Sequence, residues 1–249
     1  MVASELANFL CNNEDYDVID KIPFSFNKNE EISKSDSDVI GSCVIKFRKF
    51  EDELFHKWLS DKELSFCNRF KSEKRRKHYA MGRIAAKIAL MQIKGDINPT
   101  TINIINATKG YPLFENELDY AVTISHSKNY AGALVFSKKR KIGMDLEYID
   151  STKICALKRT ILPQEKIEEN IIPLTVVWCM KESLSKALLC GLYDSLDTFC
   201  IKDFICDNNF TYQAKYKYYP QYMGIAKIID PQENMVLAIT ADSYITICL

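Results

Sequence analysis

Apolar positions along the chain change period several times, and the changes predict an order of elements. Cys43–Phe47 reads as a strand, and Glu51–Leu59 and Asp61–Phe70 as helices. Glu73–Ile93 is the clearest helix, with Tyr79, Ile84, Ala85, Ile88, Ala89 and Met91 as its apolar stripe, Ser72 as cap and Gly95–Pro99 as stop. Short β-like runs follow: Ile102–Ile105, Leu113–Phe114, Ala121–Ser125, Ala131–Phe136 and Lys141–Glu147, separated by turn-forming residues. Thr152–Leu162 and Gln164–Glu169 read as helical, and a strong helix runs from Pro173 to about Leu189, with Gly191 just past it. The chain ends in strands: Ile201–Ile205, Phe210–Tyr218, Gly224–Ile229, Val236–Thr240 and Tyr244–Cys248.

This order predicts an α+β protein whose second half repeats the helix-then-sheet plan of the first, in pattern only and without sequence repetition. The expected division is an acidic N-terminal extension (1–41), an N-terminal half (42–138) and a C-terminal half (139–249). The extension is polar and weakly periodic, and reads as loosely held chain or a short added helix.

Composition narrows the class. The 249 residues are 47% apolar and 27% charged, with 33 Lys+Arg against 33 Asp+Glu. These values exclude a disordered, collagen-like or coiled-coil chain. Nine Cys with no C-x-x-C spacing, and only three His, argue against a zinc site and for reduced thiols in a cytoplasmic setting. The N-terminus lacks the marks of a signal peptide, and no apolar run reaches the ~18 residues of a membrane span. Charge is uneven: residues 1–41 set three Lys against nine acids, whereas residues 62–94 set ten Lys/Arg against Glu63 and Glu73. A basic helix of this kind is a solvated face, a nucleic-acid surface or a site for a smaller polyanion; neutral overall charge and the absence of a binding motif weaken the nucleic-acid reading.

Four segments could carry chemistry. In Ile142-Gly143-Met144-Asp145-Leu146-Glu147 the two acids share one strand face, a solvated edge or a place for a hard cation. In Trp178-x-x-Lys181-Glu182-Ser183-x-x-Lys186, Glu182 and Lys186 share a helix face among mostly apolar neighbours, so the pair is a surface pair or a buried one needing partners. Ile124-Ser125-His126-Ser127 ends a strand without the setting of a nucleophile elbow, so His126 is structural or an anion contact. Lys109-Gly110-Tyr111-Pro112 is a turn that could approach a phosphate.

Together with Gly82-Arg83, these segments resemble the 4′-phosphopantetheinyl transferases of the two-lobed kind that activates surfactin-type synthetases. The resemblance spans roughly residues 43–240; its strongest motif is W-x-x-K-E-S-x-x-K, some thirty residues after I-G-x-D-x-E. It implies two similar α+β halves related by a pseudo-twofold, with coenzyme A in the cleft between them. It also implies Mg²⁺-dependent transfer of the phosphopantetheine arm to a serine of an apo acyl or peptidyl carrier protein by a monomeric enzyme. Asp145, Glu147 and Glu182 would correspond to the metal ligands, with Glu182 as general base and Lys186 at the pyrophosphate. Lys181 would make a second phosphate contact, with Ser125 and His126 near the 3′-phosphate. Lys74, Arg83 and Lys109 with Gly110 would meet the other nucleotide phosphates, and Asp145 would also border coenzyme A. Two positions depart from the family pattern: Tyr111 and Asn106 stand where relatives often carry basic residues. The alternative is a catalytically silent carrier-protein or nucleotide-binding module of the same fold; nucleic acid and membrane are not expected partners.

Overall fold

Each of the two long helices lies on an antiparallel sheet, and in each case a glycine lets them close. The structure, a computed structural model, describes residues 16–19, 24–26, 39–48, 52–168, 172–191, 195–207, 211–242 and 245–247. The chain divides into two compact units, Met1–Ile22 with Ser33–Lys139, and Pro23–Ile32 with Arg140–Leu249.

In the first unit, strands β1 (Tyr16–Ile19), β3 (Gly41–Phe47), β6 (Tyr120–Ser127) and β7 (Tyr130–Ser137) form a sheet of order β1-β3-β7-β6. Every neighbouring pair is antiparallel. Helices α1 (Asp52–Trp58) and α2 (Asp61–Cys67) precede α3 (Glu73–Lys94), which packs on β3, β7 and β6. Ser60 caps α2 in a reciprocal capping box with Glu63. Gly95, at φ 77°, ends α3 and donates its N–H to Met91 O. A Cβ on Gly41 would overlap the Ala89 carbonyl oxygen, so only glycine lets β3 approach α3 this closely. Strands β4 (Ile104–Asn106) and β5 (Pro112–Phe114) form a separate ribbon joined by the Ala107–Tyr111 turn.

In the second unit, β8 (Ile142–Tyr148), β9 (Ile201–Cys206), β10 (Thr211–Tyr216), β11 (Tyr222–Asp230) and β12 (Met235–Asp242) run β8-β12-β11-β10-β9, also antiparallel throughout. Helix α5 (Leu174–Ala187) lies over β8, β12 and β11. Its buried Val176, Val177, Met180 and Leu184 meet Tyr212, Tyr216 and Val236 in the core. A Cβ on Gly143 would overlap Ser183 O and Ala187 N of α5.

Three expectations are corrected. Thr152–Leu162 is not one helix: a 3-10 turn at Ser151–Lys153 leads into the short α4 (Ile154–Lys158). Gln164–Glu169 is not helical over its described residues, because Glu165 turns inward to bind backbone amides. The extension lies mostly outside the described residues, but two pieces of it are strands: β1 pairs with β3, and β2 (Phe24–Phe26) pairs with β13 (Ile245–Ile247).

Candidate active site

Strand β8 presents alternate residues to α5. Gly143 marks that face through its contact with α5, so Asp145 and Glu147 at i+2 and i+4 lie on it too. Asp145 is 4% exposed. Its Oδ1 accepts a hydrogen bond from Lys186 Nζ on α5 at 2.7 Å. Thus the strand acid and the helix base, 41 positions apart in sequence, meet in the fold.

Glu182 sits one turn before Lys186 and half-buried. Its carboxyl is pushed up to about 7, first by loss of solvent and then by the negative charge of Asp145; Glu147 adds to the rise and Lys186 opposes it. The three expected metal ligands therefore feel one another. Buried Cys179 feels the same field: desolvation and then Asp145 push its thiol well up, so it packs as an inert apolar group.

The donor set suits a hard cation, since three carboxylates offer oxygens and mutual repulsion that a divalent ion relieves. As placed, they do not close on a common point: among the described residues no group of three His, Cys, Asp or Glu could hold a metal ion. Lys186 instead holds one oxygen of Asp145.

Lys181 does not join this cluster. Its side chain is fully buried and paired with Glu165 at 2.7 Å, and its ammonium also donates to Thr160 O. A phosphate could reach it only by breaking a buried ion pair.

In the first unit, Ser125 and His126 part company. Ile124 lies against Gly82 of α3, so His126 shares the α3 face of β6 and Ser125 takes the opposite one. Ser125 is buried; His126 is exposed and stacks on His78 of α3, ring centroids 4.4 Å apart. His78 shares a hydrogen bond of 2.7 Å with Lys128 O, and burial followed by the charge of Lys74 lowers its pKa against the opposing effect of that bond. Exposed Lys74, with Lys77, His78 and Lys128, lines a cavity of about 510 Å³. His78 belongs to the basic helix read from sequence (residues 62–94), where it stands four residues after Lys74 on the same face, whereas no sequence signal pointed to Lys128.

Arg83 is 7% exposed and stacks on Tyr79, its guanidinium 3.9 Å from the ring centroid. Nη2 donates to Asn106 Oδ1 at 2.7 Å, and the buried Nε has no hydrogen-bond partner. Burial lowers its pKa. It lines a second cavity, of about 240 Å³, with Phe66, Tyr79, Asn103 and Asn106. Tyr79 and Glu63 oppose the fall in the Arg83 pKa, and Glu63, which lines the same cavity, is itself paired with Lys87, so an anion entering there would add to the negative charge beside the guanidinium. Asn106, flagged as a departure, is thus the partner of Arg83. Lys109 and Gly110 lie exposed on the β4–β5 turn, with Gly110 at φ 85° and its N–H donating to Ala107 O.

No family model matches the chain. Among curated proteins it is similar to the holo-[acyl-carrier-protein] synthase of Petrotoga mobilis, 34% identical over 79 residues, covering 31% of this chain and 66% of that protein. The holo-[acyl-carrier-protein] synthase of Staphylococcus haemolyticus is 34% identical over 100 residues, covering 38% of this chain and 84% of that one. Among solved structures, the Bacillus anthracis holo-(acyl-carrier-protein) synthase in complex with CoA (3′,5′-ADP) aligns at TM-score 0.36 and 25% identity, covering 39% of this chain and 93% of that one. The Thermotoga maritima holo-[acyl-carrier-protein] synthase aligns at 0.32 and 19%, covering 47% and 72%. The identity shared with the staphylococcal protein across most of that protein's length places the chain in the holo-[acyl-carrier-protein] synthase family of phosphopantetheinyl transferases.

Proposed function

We propose that the protein moves the 4′-phosphopantetheine arm of coenzyme A to a serine hydroxyl of an apo acyl or peptidyl carrier protein, in an Mg²⁺-dependent reaction. The observation that carries the reading is the Asp145–Lys186 ion pair beside a Glu182 carboxyl poised near neutrality. A general base works best with a pKa near the working pH, and Glu182 meets that condition.

In this reading Glu182 accepts the proton of the carrier serine as its oxygen attacks the β-phosphorus. The new serine O–P bond forms as the pyrophosphate P–O bond breaks, and adenosine 3′,5′-bisphosphate leaves. Lys186 stabilises the charge gathering on the leaving phosphate. Drawn onto a common point, Asp145, Glu147 and Glu182 would hold Mg²⁺, which would supply charge neutralisation at the pyrophosphate. Lys186 then has the pyrophosphate as an alternative partner to Asp145.

The nucleotide end is assigned to the basic residues of the first unit. Arg83 lines a cavity in which a phosphate would add negative charge beside its guanidinium, and Lys74, Lys77 and Lys128 line a second, basic cavity bordered by His78 and the His126 ring stacked on it. Lys109 and Gly110 remain assigned to a phosphate, and Ser125 to the 3′-phosphate region. The two-lobed, monomeric, cytoplasmic form, with coenzyme A between two halves, belongs to the same proposal and rests on the motif resemblance. No described helix is long and apolar enough to cross a membrane.

Intact-mass spectrometry of apo carrier proteins, incubated with the protein, coenzyme A and Mg²⁺, tests the reading. The expected result is a gain of one phosphopantetheine, abolished by chelator and by Asp145→Ala. No gain on any carrier from a protein that binds coenzyme A would overturn it in favour of a silent binding module.

A further inference from the structure

Lys87 and Lys181 belong to different units, yet they are held in the same way. In the first unit Lys87 Nζ pairs with Glu63 Oε2 at 2.5 Å and donates to Trp58 O at 2.8 Å. Glu63 in turn accepts from Ser60 N at 2.9 Å and from Ile104 N at 3.0 Å. In the second unit Lys181 Nζ pairs with Glu165 Oε2 at 2.7 Å and donates to Thr160 O at 2.7 Å. Glu165 accepts from Leu162 N at 2.8 Å and from Ile201 N at 2.7 Å.

The sequence offsets agree as well. The carbonyl that receives the lysine lies five residues before the glutamate in both units, Trp58 before Glu63 and Thr160 before Glu165. The first amide lies three residues before it. The second amide opens the next strand of the unit, β4 at Ile104 and β9 at Ile201. Lys87 adds one further acceptor, Pro99 O, at 2.8 Å. All four side chains are nearly or fully sealed from solvent, with exposures of 0% and 2% in the first pair and 0% and 0% in the second.

A buried ion pair adds little stability over an apolar pair of the same size. What it does supply is geometry. Each glutamate ties two backbone segments to one point, and each lysine ties the long helix to the same point. The rotation of α3 about its axis is thereby fixed relative to β4, and that of α5 relative to β9.

The residues carried by the two helices differ. Arg83 stands one turn before Lys87 on α3, and its partner Asn106 lies on β4, the strand whose first amide Glu63 holds. One clip therefore sets both members of the Arg83–Asn106 contact. On α5, Glu182 directly follows Lys181, and Lys186 comes one turn later.

We propose that these clips are positioning devices with divided tasks: Glu63–Lys87 aims Arg83 at the nucleotide end of coenzyme A, and Glu165–Lys181 aims Glu182 and Lys186 at the transfer step. The inference rests on the transferase reading above. Neither clip touches substrate; each acts through the residues its helix presents.

The test is steady-state transfer to an apo carrier at varied coenzyme A, using full-length Glu63→Gln and Glu165→Gln. Glu63→Gln should raise KM for coenzyme A about tenfold with kcat nearly unchanged, and Glu165→Gln should lower kcat about tenfold with KM nearly unchanged. A single substitution strands a buried lysine, so each is repeated with both charges removed, as Glu63→Gln with Lys87→Met and Glu165→Gln with Lys181→Met. The same split is expected in the double variants. Losses that follow only the folded fraction, or that fall on the same kinetic constant in both units, would overturn the division of tasks while leaving the transferase reading intact. An unsubstituted protein that transfers nothing would remove the reading and this inference together.

Discussion

Glu182 faces two demands that oppose each other. As a base it must be ionised, yet burial and Asp145 hold its carboxyl near 7. A cation favours the ionised form, so proton and Mg²⁺ compete for it. With a pKa near 7, the Mg²⁺ concentration giving half-maximal rate should fall about tenfold from pH 6 to pH 8 and change little above that. Rate measurements across an Mg²⁺ series at the two pH values check this; an equal requirement at both would show that Glu182 does not titrate against the metal. Glu182→Gln should lower kcat about a hundredfold or more while coenzyme A affinity, measured by calorimetry, stays within a few-fold. Unchanged turnover in that variant would remove the base assignment.

Strand β8 and helix α5 bring the acids and bases together only because Gly143 lets them touch. An alanine there would meet Ser183 O and Ala187 N, both backbone atoms that cannot swing aside. Gly143→Ala should therefore cost about 1–3 kcal/mol in urea denaturation and should also separate Asp145 from Lys186, lowering activity beyond the loss of folded protein. Gly41→Ala meets the Ala89 carbonyl in the other unit and should cost a similar amount. Equal stability of either variant with the parent would show that the helix and strand can part without penalty. These two contacts also show what was legible in sequence. The glycine of I-G-M-D-L-E could be read as a motif letter, and the Asp145–Glu147 face followed from strand alternation alone. The backbone approach behind that glycine could not, because no local pattern records how near another element comes. Lys181 is the reverse case: its motif position suggested a phosphate contact, and only the fold shows Glu165 waiting for it.

Across the whole chain, the long helices and most strands were readable because their apolar periods are sustained. The segment 151–168 was not, since its apolar spacing is helical while Glu165 is drawn inward by Lys181 and two backbone amides. The acidic extension was misread for a related reason: a strand of three or four residues on a sheet edge gains its hydrogen bonds from a partner far along the chain. Its two pieces serve different units, β1 pairing with β3 and β2 with β13. Nearly all of β3 is buried, so removing β1 would uncover the backbone edge of an apolar strand. A variant lacking residues 1–38 should melt about 5 °C lower and self-associate. Thermal melts and light scattering at matched concentration decide the point. A truncated chain with parental melting temperature and no added association would mean that β1 and β2 lie on sheets already complete without them. If instead stability falls while the truncated chain stays monomeric, the pairing contributes stability but the charges at the end of β3, Lys46 within it and Arg48 just past it, suffice to protect the edge.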